Sequence, residues 1–416
     1  MPYGRTVLVL ITTLLVALRP PVSAQEPPTA TLLIDVDMTP AAGATDLLAM
    51  QRAVSGLEDR VLPIRFTEAT PLRRALGIGY RFGKWFALDL PQDHFLMVVA
   101  HEVYGHGSRL REIGARHIHY GFDPPIPYGG GGAVTEFSGE LLVTRADVLA
   151  IDTAGIEAQS VLADRIGRVA LARGTMSYRE AWLYFESLVD GVRYIRSVSP
   201  RSPEGHDPAD FLKNFAEDCE PPACVPIDAA TLKRRALWTF ADPVLAYAVY
   251  GFAVSYVSRG HSSFGLPMIP LRNDAGYLPA VRFAMTPYGT EWATEHTIVH
   301  RRRLTRASVR FGDTGHRRAW GVGLLATDAV TIGGIALQFS TEVWRQPPLG
   351  APPQSRALAT GGLAEATANV PVGRRFAMRR VSSLVLQGGY KSDGFVRGER
   401  LHRGPILRVG LTVRLP

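Results

Sequence analysis

Residues 404–416 read GPILRVGLTVRLP. Successive side chains of an extended chain point to opposite faces, so Leu407, Val409, Leu411, Val413 and Leu415 fall on one side. Arg408, Gly410, Thr412 and Arg414 fall on the other. The same period of two recurs upstream at Val281-Phe283-Met285, Trp320-Val322-Leu324, Ile335-Leu337-Phe339 and Leu384-Leu386. The alternation predicts about eight strands, near residues 279–287, 291–300, 304–311, 318–327, 330–344, 356–368, 376–390 and 404–415. Turns at Arg301–Arg303, Asp328-Ala329 and Pro371–Gly373 fall at one end of these strands, and the longer connections 345–355 and 391–403 at the other. An even number of strands with this distribution of turns and loops predicts an antiparallel β-barrel over residues 263–416.

The final strand resembles the terminal strand of bacterial outer-membrane barrels, although the chain ends on Leu415-Pro416 where those proteins end on an aromatic residue. That likeness implies contact with outer-membrane lipid or lipopolysaccharide. A soluble sandwich or closed soluble barrel, which also has one apolar face, is the competing expectation.

The chain changes character near residue 262. Upstream, apolar residues recur at helical spacing. A helix is predicted from Pro91, with Asp89 as a possible cap, to about Ile113. Others follow at Ala154–Ala172, at Tyr178–Val198 behind the capping box Ser177/Glu180, and at Val244–Val257. Residues 25–30 read as a loose leader, and residues 31–90 as ambiguous except for a helix around Ala44–Ser55. The apolar run Val244–Val257 is too short to cross a bilayer, which needs about 20 residues.

The first 24 residues carry the marks of a secretory signal peptide: Arg5, an apolar run from Val7 to Leu18, and small residues Val22-Ser23-Ala24, predicting a mature start near Gln25. The expected organisation is therefore a signal peptide (1–24), a mainly helical domain (25–262) and the barrel (263–416). In an exported protein the net charge of +8 does not point to nucleic acid, because the arginines are scattered rather than gathered in a stripe. Cys219 and Cys224, bracketing two prolines, are expected to close a small disulfide loop.

The chemistry is concentrated in Val98-Val99-Ala100-His101-Glu102-Val103-Tyr104-Gly105-His106-Gly107. Zinc hydrolases commonly present two histidines at i and i+4 of a helix, with a glutamate beside the first. Here the second histidine stands at i+5. Five residues turn a regular helix through about 500°, which leaves the two rings about 140° apart. Both rings meet one ion only if the backbone absorbs an extra residue, as a π-bulge does. Gly105 is the residue type that makes such a distortion inexpensive.

The segment HEVYGHGS resembles the HExxGH zinc motif of dipeptidyl-peptidase III over about eight residues. The resemblance implies His101 and His106 as zinc ligands and Glu102 as the base that activates water. It also implies a third ligand, a glutamate some fifty residues downstream on a second helix, where this chain has Glu157 in AGIEAQSVLADR. That family carries paired acids there and this chain has one, and Glu136, Glu140 and Asp152 compete for the role. His117, His119, Tyr120 and Tyr128 are candidates to donate to a developing oxyanion. Gly129–Gly132 lacks the lysine and preceding strand of a phosphate loop, and no Gly-x-Ser-x-Gly elbow occurs.

The sequence thus predicts an α+β multidomain protein: a mainly α-helical, zincin-like domain, then a C-terminal antiparallel β-barrel in the outer membrane, with the helical domain in the periplasm. The expected activity is zinc-dependent hydrolysis of peptide or protein bonds in the bacterial envelope. The alternative is a non-catalytic outer-membrane structural or transport protein whose helical domain binds partners.

Overall fold

The computed structural model describes residues 29–62, 70–123, 132–138, 143–219, 225–315, 319–348, 358–372 and 381–415. Strand β1 (Thr29–Ile34) leads into α1 (Pro40–Val61). Next comes a helical stretch made of α2 (Pro71–Lys84), a π-helical segment Trp85–Asp89, α3 (Leu90–Val99), a second π-helical segment Ala100–His106, and α4 (Gly107–Glu112). The hairpin β2 (Arg116–Phe122) and β3 (Ala133–Ser138) follows.

Helix α5 (Arg145–Arg173) begins at a reciprocal cap between Thr144 and Asp147, and ends where Gly174 takes φ 77°. After the short strand β4 (Thr175–Ser177), α6 (Tyr178–Ser197) starts at the capping box Ser177/Glu180 that the sequence predicts. Then come α7 (Asp207–Asp218), α8 (Ala229–Ala236), a 3₁₀ turn Leu237–Ala241, α9 (Pro243–Tyr250) and a third π-helical segment Gly251–Ser258. The buried apolar faces of α1, α3, α5, α6 and α9 meet in one core around Leu48, Met97, Leu162, Ile166 and Leu183.

The strand-rich half follows the alternation closely. Short strands β5 (Ser263–Gly265) and β6 (Ile269–Pro270) precede β7 (Ala275–Thr286), β8 (Gly289–His300), β9 (Arg303–Gly315), β10 (Trp320–Ile332), β11 (Ile335–Gln346), β12 (Ala359–Pro371), β13 (Val381–Lys391) and β14 (Gly404–Arg414). These last eight pair antiparallel in sequence order. The turn expected at Asp328-Ala329 lies instead at Gly333–Gly334. β10 runs on through Asp328 by way of a register irregularity between Ala326 and Val330, with Asp328 at φ 48°. The expected loose leader also contributes to the sheet, since β1 pairs with β14 from Thr29↔Arg414 to Ile34↔Val409.

The expected barrel is corrected. The sheet has ten strands in the order β1-β14-β13-β12-β11-β10-β9-β8-β7-β6 and does not close. Helices flank the two ends of the sheet: α1 packs on β1, while α8 and the 3₁₀ turn pack on β7.

The polarity of the sheet is inverted relative to a soluble one. Its outward face carries exposed Val309, Phe311, Val322, Phe339, Leu407 and Val409. Its inward face carries charge matched against the helices, beside buried Leu304, Trp344, Leu363 and Ile406. Arg282 on β7 pairs with Asp242 and Glu295, and Tyr184 donates to that same Asp242. Arg306 on β9 pairs with Asp164 of α5, and Arg408 on β14 with Asp35 (2.9 Å) and Glu399 (2.7 Å). Buried ion pairs add little net stability over apolar packing, but removing one partner costs about 3–5 kcal/mol. They therefore fix how the helices sit against the sheet.

Candidate metal centre

The π-helical segment Ala100–His106 absorbs the extra residue between the two histidines. It widens the turn by one residue, so the i, i+5 pair lies on one face, with ring centroids 5.0 Å apart. Two close approaches to α5 accompany it. Gly155 lies directly beneath His101: a Cβ there would stand 2.2 Å from Nε2. Gly105 lies against the Ala154 carbonyl, where a Cβ would come within 2.7 Å of the oxygen.

The carboxylate that meets both rings is Asp207, the first residue of α7. Its Oδ2 lies 3.0 Å from His101 Nε2 and 3.1 Å from His106 Nε2. Among the described residues, His101, His106 and Asp207 are the group of three potential ligands whose donor atoms lie within 4.8 Å of one another. The Asp207 backbone N–H donates to the Tyr194 hydroxyl at 3.1 Å, fixing the start of the helix, and the Tyr194 ring stands 5.9 Å from that of His101.

Glu157, the glutamate that the resemblance implies as third ligand, is not in this cluster. Arg109, one turn beyond His106, donates to both Glu157 carboxylate oxygens at 3.0 and 2.8 Å, and the Gly398 backbone N–H donates to Oε1 at 2.7 Å. A buried guanidinium needs a carboxylate, and Glu157 supplies it. Of the competing acids, Asp152 accepts from Asn214 at 2.8 Å, Glu136 is exposed on β3, and Glu140 lies outside the described residues.

Glu102 is buried, and Thr135 Oγ1 on β3 donates to its Oε2 at 2.5 Å. The hydroxyl holds one carboxylate oxygen and leaves the other unoccupied by that bond. Of the candidate oxyanion donors, Tyr120 accepts at 2.8 Å from Arg111, His117 sits in the hairpin at φ 51°, and Tyr128 lies outside the described residues. Cys219 is disulfide-bonded, and Cys224 lies outside the described residues.

Electrostatics bind the cluster together. Burial opposes charge on Asp207, but His106 and His101 outweigh it and hold the carboxyl well below its usual range. Burial likewise opposes charge on His106. The Asp207 carboxylate prevails, with help from Glu102 and a backbone hydrogen bond to Ile151, and pushes the imidazole up to about 9.

Two imidazole nitrogens and one carboxylate oxygen are a donor set that zinc accepts, leaving a fourth position for water. Ligand atoms about 2.0 Å from a tetrahedral ion stand about 3.3 Å apart, close to the 3.0 and 3.1 Å between Asp207 and the two rings. The residues present therefore fit the ion. No family model, curated protein or solved structure matches the chain.

Proposed function

We propose that this protein is a zinc-dependent hydrolase of the bacterial envelope acting on peptide or protein bonds. The observation that carries the reading is the convergence of His101, His106 and Asp207 donor atoms beside a buried, oriented Glu102. A bound zinc ion would lower the pKa of water toward about 7 and polarise the scissile carbonyl. Glu102 accepts the water proton and returns it to the leaving amine, and Thr135 holds its carboxylate in register for both transfers. Gly155 and Gly105 let α5 approach closely enough to wall the cluster from bulk water. Two histidines and a carboxylate also suit ferrous iron. Glu102, adjacent to the first histidine and aimed by its own hydrogen bond, favours hydrolysis.

The sheet supports an outer-membrane setting for this activity. Apolar side chains outside and paired charges inside are what a strand needs when one face meets lipid. The inner face is packed with α5 and with residues 395–401, which weighs against a conduit.

The test is metal content and hydrolysis together. Purified full-length protein is expected to hold one zinc per chain and to cleave a peptide library. Glu102→Gln is expected to keep the zinc and lose the cleavage. Full activity in that variant would refute the assigned role of Glu102.

A further inference from the structure

The lipid-facing reading of the sheet, on which this inference rests, raises the question of where the helical half lies. The helices are seated along the inner face of the sheet. Asp164 of α5 meets Arg306 in β9, Asp242 meets Arg282 in β7, and Thr39 at the start of α1 accepts from Arg408 in β14 at 2.8 Å. A sheet placed in a membrane takes these helices with it.

The outer helices also expose apolar side chains. On α2 and its π-helical continuation, Leu72, Leu76, Phe82, Phe86 and Leu88 are exposed by 44–70%. Two cations of its second half turn inward: Arg81 is buried and donates to the Val257 carbonyl at 2.9 Å, and Lys84 pairs with Glu58 and Asp89. On α9 Val249 and Tyr250 face outward while Val244, Leu245, Tyr247 and Ala248 are buried, so this helix is apolar all round. No single described helix is long and apolar enough to cross a membrane, but the bent pair Ala229–Ala241 and Pro243–Ser258 passes by length and composition together.

From Leu72 to Leu88 a helix rises about 24 Å, close to the apolar band of about 25 Å on an outer-membrane barrel. Arg73 and Arg74 are exposed where that band would begin, suited to headgroup phosphates. An open strand edge is costly in hydrocarbon, where no water satisfies its backbone. Here α1 packs beside the edge strand β1, and α8 with the 3₁₀ turn packs beside β7 next to the two-residue edge strand β6. A second copy of the chain would mask one self-complementary patch, whereas this apolar surface extends from the sheet to α1 beside β1, through exposed Leu57 and Val61, and to the 3₁₀ turn beside β7, through exposed Trp238 and Phe240.

We infer that α2 with its π-helical continuation, and α9, face the acyl chains of the membrane and complete the wall that the sheet leaves open. The helical half then lies within the membrane's thickness and is not a separate periplasmic domain.

The test uses full-length protein in vesicles of phosphatidylethanolamine and phosphatidylglycerol. A polarity-sensitive fluorophore is attached to Leu76→Cys, to Val249→Cys on the second helix, or to Val322→Cys on the sheet. Quenching by brominated-chain lipid is compared with quenching by aqueous iodide. All three positions are expected to lose emission to the brominated lipid and keep it in iodide. If Val322→Cys behaves so but either helix position is quenched by iodide, or is shielded from both agents, the inference is overturned and the membrane reading of the sheet stands. If Val322→Cys itself is quenched by iodide, or is shielded from both agents as a second copy would shield it, the membrane reading fails and the inference falls with it.

Discussion

Replacing Gly155 with alanine tests the geometry of the metal centre without touching a ligand. A Cβ at this position would lie 2.2 Å from His101 Nε2, 2.3 Å from Cε1 and 2.4 Å from Cδ2. Ordinary carbon contacts need about 3.5–4.0 Å, so the ring must retreat by more than about 1 Å. Zinc–nitrogen bonds tolerate deviations of only about 0.2 Å. The variant is expected to lose zinc affinity by at least about 100-fold, the upper range for disturbing a ligand's support, and to lose about 1–3 kcal/mol of stability through overpacking. Gly191→Ala is the control, because its added Cβ would meet Gln159 and Ile156 at an ordinary 3.4 Å. Competition against a chromophoric chelator reads the affinity, and thermal unfolding reads the stability. Wild-type zinc affinity in Gly155→Ala would show that His101 does not bind metal in the orientation described.

Three further outcomes follow from the same geometry. Glu157→Gln is expected to keep its zinc, measured by elemental analysis, while losing about 1–3 kcal/mol of stability, because Arg109 keeps Glu112 as a second carboxylate partner. Thr135→Val is expected to lower kcat about tenfold or more with zinc content unchanged, because a general base contributes about 10²–10⁴ only when positioned. The pH dependence has a definite sign. His106 is raised to about 9, so its pairing stabilises the metal-free protein fully below the ordinary histidine value of about 6.5, and that contribution is lost as pH rises through 9. Zinc needs the neutral imidazole, so apparent affinity should climb about tenfold per pH unit up to about 9, with proton release visible by titration in two buffers. A flat affinity over this range would contradict the pairing.

Much of this architecture is readable from local periodicity. The eight long strands alternate residue by residue, and Ser177 and Gly174 mark helix ends by side-chain capping and by left-handed backbone, whereas the helix expected from Ala154 begins nine residues earlier, behind Thr144. The π-helical segment is legible because two histidines spaced i, i+5 cannot share a face of an ordinary helix. What escapes is non-local. Asp207 lies 101 residues from His106 in sequence, in a Pro-rich stretch that reads as a linker. A lone glutamate on an apolar helix face fits a metal ligand and an ion-pair partner equally well. Glu157 proves to be the partner, because Arg109 needs one and its spatial nearness is invisible in the chain. β1 is hidden because six residues, TATLLI, are too few to show a period, and it takes its place from the edge of β14. Closure of the sheet was not decidable from strand patterns, which do not show that helices flank its two ends.

The central claim is that one metal ion is held by His101, His106 and Asp207. The most direct measurement is the zinc content of purified full-length protein and of Asp207→Ala after equilibration with equal zinc and dialysis. The account predicts one zinc per chain in the parent and close to none in the variant. Equal zinc in the two, or none in either, would contradict it.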